Sequence, residues 1–145
     1  MSAQVLVQRY RVFLLSLAAL SCVGVVIELW LTAHTKELLQ FVPFVLCALG
    51  LAVIIVVLFR PTRTAIRAMR IVMGALVLGS LVGVYEHLTG NWEILLETKP
   101  NLAVGEMLLE SLRGAAPLLA PGILVLVALL AVAATYHHSA LENQT

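Results

Sequence analysis

Residues 71–88, IVMGALVLGSLVGVYEHL, decide the fold, because this apolar run carries both a stripe of small residues and ionisable groups. Ala75, Gly79, Gly83 and His87 recur every four residues, so a helix sets them on one face with Glu86 on its flank. Leucine gains nothing by leaving lipid for protein, whereas small residues at this spacing let a second helix come close. The face that ends in His87 is therefore expected against protein.

Working outward, the whole chain shares this character. Of 145 residues, 61% are hydrophobic and 12% charged, and the mean hydropathy of +1.03 lies outside the range of soluble domains. A spanning helix needs about 20 largely apolar residues, and residues 12–31, 38–59, 65–88 and 117–136 each supply them. The expected fold is all-α: a four-helix transmembrane bundle forming one domain over residues 1–145. Between the third and fourth spans, over residues 102–115, Val104, Met107, Leu108 and Leu112 oppose Glu106, Glu110 and Arg113. That pattern predicts a short amphipathic helix at the outer surface, either a connector or a lid over the bundle.

Orientation follows from the basic residues. Arg9, Arg11, Arg60, Arg63, Arg67 and Arg70, six of nine, precede the first span or join the second to the third, which places both termini in the cytoplasm of a cell membrane. Arg60, Arg63, Arg67 and Arg70 are expected to meet inner-leaflet phosphates. The chain offers no soluble basic surface for nucleic acid. Its expected partners are the bilayer and another membrane protein or a second copy of itself.

Local signals are weaker. Thr35 reads as an N-cap in the tight turn after the first span, Pro61 and Thr62 as the start of the third helix, TGNW at 89–92 as a turn, and Asn101 as an N-cap. His34 reads as a solvated loop residue, and His137 with His138 as interfacial rather than a metal pair. Cys22 and Cys47 fall at similar depth in neighbouring spans and read as small apolar residues. The sequon at 143–145 should lie inside the cell and stay unmodified.

One constellation bears on chemistry. Glu28 stands 16 residues above Val12 and Glu86 15 above Ile71, so both lie about 22–24 Å up their helices at 1.5 Å per residue. Should the glycine face of the third span meet Ser21, Gly24 and Glu28 of the first, Glu28 approaches His87, with Glu86 and Gln40 nearby. Such a cluster is a structural clasp, a proton relay, or part of a carboxylate and imidazole metal site. The sequence holds no HExxH, no paired CxxC and no phosphate loop, so neither a cofactor nor catalysis is expected. The expected function is a non-catalytic accessory or scaffold subunit; the alternative is a small ion, proton-coupled or metal-handling carrier using the outer Glu/His cluster.

Overall fold

The computed structural model describes residues 2–142, and among them every regular element is helical. Helix α1 (Ala3–Leu31) starts at Ser2, whose hydroxyl accepts from the Val5 amide. It thus includes the arginine-bearing lead expected to precede the span. A 3-10 turn, Leu38–Phe41, leads into α2 (Val42–Phe59), with Pro43 in the first turn where its missing N–H costs nothing. The residue flanking that turn is Glu37 and not Thr35. Thr62 caps α3 (Arg63–Thr98) through the Ala65 amide.

Helix α3 departs most from the sequence reading. It does not stop near Leu88 but runs 36 residues, straight through TGNW. Two features favour the extension. The Thr89 hydroxyl donates to the Tyr85 and Glu86 carbonyls one turn back, and the Asn91 side chain finds partners across the chain. Beyond it α4 (Val104–Leu112) folds back, burying Met107 against the end of α3, where Leu95 is also buried. Its N-cap is Ala103, which has no capping side chain, rather than Asn101.

Residues 117–136 were expected as a full span, but the α-helical part is α5 (Ile123–Ala134), 12 residues long. Pro117 and Pro121 turn the preceding chain into successive i→i+3 bonds: Ala120 to Pro117, Gly122 to Leu119, Leu124 to Pro121. A short α6 (Ser139–Glu142) follows. Among the described residues three stretches are therefore long and apolar enough to cross a membrane, Ala3–Leu31, Leu38–Phe59 and Arg63–Thr98, with α5 as a shorter apolar helix. The sequon at 143–145 lies outside the described residues.

Helix α1 packs against α2 and α5, and α3 packs against the same two, so α1 and α3 face each other across the diagonal of a square. Ala18, Cys22, Ile54, Met69, Met73, Leu76, Val127 and Ala131 fill the centre. Gly50 leaves the room in which Cys22 and Leu76 converge, and Cys22 and Cys47 are both free and buried.

This arrangement corrects the expected docking of spans one and three. A Cβ on Gly79 would collide with the Leu46 side chain of α2, and one on Gly83 would come within 2.9 Å of Pro121 Cβ. The glycine stripe thus seats α2 and the approach to α5, not α1. Gly24 has open space around it, Ala75 is exposed, and the Ser21 hydroxyl turns back to the Leu17 carbonyl.

Candidate functional site: the outer cavity and its polar brace

The segment between α4 and α5 is largely non-helical, yet it lies against the bundle. Backbone groups there need partners, since lipid supplies none. Three side chains on one side of α3 supply them. Ser80 Oγ donates to the Pro121 carbonyl at 2.8 Å, and His87 Nδ1 lies 3.0 Å from the Pro117 carbonyl. Asn91 Nδ2 donates to the Ser111 and Ala116 carbonyls, while its Oδ1 accepts from the Ala116 amide at 2.9 Å. Ser80 and Asn91 are almost completely buried, at 1% and 2% exposure, so these bonds form away from water. Gly114 abuts the Asn91 amide so closely that a Cβ would displace it.

Because a carbonyl only accepts, the His87 bond requires the proton on Nδ1. In the neutral ring Nε2 is then an acceptor. No ion pair joins His87 to Glu28 among the described residues, so the expected carboxylate and imidazole clasp is replaced by an imidazole and backbone one. The diagonal placement of α1 and α3 is the physical reason.

The brace holds open a cavity of about 500 Å³ at this end of the bundle, lined by residues of α1, the 32–42 turn, α3 and the 116–124 segment. Glu28, Gln40, Glu86 and His87 all line it. Glu28 and Glu86 are exposed, Gln40 and His87 half-buried. Gln40 also has a structural task, its Oε1 accepting from the Lys36 and Glu37 amides and so closing the turn. Below this rim the walls are apolar: Val25, Leu29, Leu46, Ile123 and Leu124.

His34, expected in solvent, is a cavity residue that sequence reading missed. It is half-buried, lines the cavity, and sets its ring centroid 6.4 Å from that of His87. What points it inward is the end of α1: the Ala33 amide bonds to the Trp30 carbonyl and the His34 amide to the Leu29 carbonyl, with Ala33 at φ 51°. This is a Schellman closure. Its usual sequence signal, glycine at the left-handed position, is absent here.

Among the described residues no three His, Cys, Asp or Glu side chains converge to hold a metal ion. At the opposite end lie the arginines expected to meet inner-leaflet phosphates. Arg60 and Arg67 are exposed, Arg63 is half-buried and engaged, and Arg70 turns inward to donate from Nη2 to the Thr135 carbonyl at 2.9 Å. Arg11 of α1 does the same for the His137 carbonyl at 2.9 Å. Both cations thus sit at the C-terminal end of α5, where the helix dipole favours them.

No protein-family model, curated protein or solved structure matches the chain. The fold alone defines the class: a helical protein with three helices of membrane-spanning length and composition.

Proposed function

We propose that this chain is a small non-catalytic integral membrane protein of the cell membrane, an accessory or scaffold subunit that docks to another membrane protein or to a second copy of itself. In this reading α5, with the turns on either side, makes a fourth passage and both termini are cytoplasmic. The observation that supports docking is α4: it buries Met107 and Ser111 against α3 but leaves Val104, Leu108 and Leu112 exposed, an apolar face at the edge of the bundle. Two measurements test it. Arg60→Cys and Glu106→Cys should label from opposite sides of the membrane; labelling from one side overturns the topology. In mild detergent the protein should run larger than a monomer or with a membrane partner, and Leu108→Glu should release it. A strictly monomeric wild-type particle overturns the docking role.

A second reading, a small ion, proton-coupled or metal-handling carrier, draws support from the cavity, which Glu28, Glu86 and His87 all line. An ionisable group within a spanning segment ordinarily marks a pathway. The metal-handling form of this reading draws no support from the side-chain geometry. Proton or cation flux into vesicles, lost in Glu28→Gln, is the test.

A further inference from the structure

The outer cavity has a chemical polarity more specific than its size. Its volume of about 500 Å³ falls in the range of pockets that hold drug-sized molecules and is too small for a two-chain phospholipid. The rim carries three carboxylates, Glu28, Glu37 and Glu86, and no lysine or arginine lines any part of the space. No ion pair neutralises these carboxylates among the described residues, the Lys99–Glu110 pair lying elsewhere. Beneath the rim, Val25, Leu46 and Leu124 make an apolar floor. No phenylalanine, tyrosine or tryptophan lines it either.

We propose that this cavity binds an amphipathic cation whose head is a protonated amine bearing N–H groups and whose apolar body lies on the Val25, Leu46 and Leu124 floor. Charge complementarity selects the sign, because an anion would meet three carboxylates against only the His34 and His87 imidazoles, with no lysine or arginine. The lack of aromatic walls selects the kind of cation. Quaternary ammonium ions are recognised by the faces of aromatic rings, whereas an ammonium with N–H donors makes charge-assisted hydrogen bonds to carboxylates. The apolar floor supplies most of the affinity and the rim supplies the selectivity. In the proposed topology the turn of residues 32–40, which lines this cavity, lies on the outer side, so the occupant comes from there. Binding does not require the protein to move its ligand, so this inference and the carrier reading fail separately: one is read at equilibrium, the other as flux.

The test uses the full chain in a nonionic detergent and four probes with the same tail: decylamine, decyltrimethylammonium, decanol and decanoate. Calorimetric titration should show saturable binding of decylamine at least tenfold tighter than of the other three. Glu28→Gln/Glu86→Gln should weaken decylamine at least tenfold and leave decanol unchanged. Ala120→Phe, which fills the floor without touching the rim, should abolish binding of all four, with retained helicity by circular dichroism showing that the bundle survives. Equal binding of all four probes, unaffected by the carboxylate changes, is micelle-like partitioning and overturns the proposal. So does the absence of decylamine binding to the folded wild-type chain. Trimethylammonium binding as tight as the amine overturns the choice of an N–H donor.

Discussion

The two ends of α5 face the same problem and meet it with different chemistry. A helix of 12 residues spans about 18 Å at 1.5 Å per residue, well short of a bilayer core of about 30 Å. Both flanks therefore carry peptide groups outside the α-helical ladder. At its C-terminal end two cations, Arg11 and Arg70, reach in from α1 and α3 to the His137 and Thr135 carbonyls. Long side chains let these charges serve a buried helix end while staying near the interface. The space left there is about 20 Å³, no more than a water or so. At the N-terminal end of α5 the partners are Ser80, His87 and Asn91, and all come from α3. Bracing from one wall alone leaves the other side unfilled, and the 500 Å³ cavity is the result. Closure at one end and an opening at the other thus follow from where the bracing groups originate.

The sharpest way to break this contrast is Asn91→Ala. It leaves the Ala116 carbonyl and amide without partners, each worth about 1–3 kcal/mol, and takes from the Ser111 carbonyl one of its bonds while the Gly114 amide remains. A loss of about 3–5 kcal/mol is expected, read as thermal unfolding in detergent, with protease cleavage appearing first between residues 113 and 122. Uniform destabilisation without that local cleavage would show that Asn91 does not hold the outer segment. Next in size is Gly83→Val. The Pro121 ring cannot rotate away as the Leu46 side chain near Gly79 can, so overpacking should cost about 2–3 kcal/mol at position 83 and less in Gly79→Ala.

The sequence exposes these two regions unequally. The second span, the end of the first, the Thr62 cap and the importance of the glycine stripe are legible, because apolar periodicity and small-residue spacing are local signals, whereas the end of α3 and the extent of α5 are not. The partner of the stripe is not, since a run of Ala75, Gly79 and Gly83 says only that something comes close. Asn91 and Gly90 read as a turn on propensity, yet tertiary hydrogen bonds to residues 25 positions away keep them helical. Counting rise sets Glu28 and Glu86 at one depth, with His87 and Gln40 expected nearby, and the structure puts all four around one space. His34 escaped because the turn that aims it uses alanine where glycine is the recognisable letter.

At the inner end Arg70→Ala should cost about 2 kcal/mol, the scale of a hydrogen bond to a charged donor. Arg70 Nε is buried without a partner, so the arginine itself is imperfectly satisfied. Arg70→Lys keeps the charge and has no Nε to strand, and should recover more than half of the loss in thermal unfolding. If lysine does no better than alanine, the planar reach of the guanidinium, and not its charge, closes this end.

The smallest expected effect sharpens the outer end. Ala33 holds φ 51°, a left-handed conformation that costs an L-residue about 1 kcal/mol or somewhat more. Glycine removes that strain but loses more freedom on folding, and the two terms nearly offset. Ala33→Gly should therefore stabilise the chain by only about 0.5 kcal/mol. Ala33→Val, whose branched Cβ resists this conformation, should cost about 1–2 kcal/mol. The two variants differ in more than stability. Valine should open the bond from the His34 amide to the Leu29 carbonyl and release the ring from the cavity, so that diethyl pyrocarbonate modifies His34 faster than in the wild type. Glycine should leave that rate unchanged. Equal modification in both variants would mean that the cavity walls, and not the backbone turn, hold His34 beside His87.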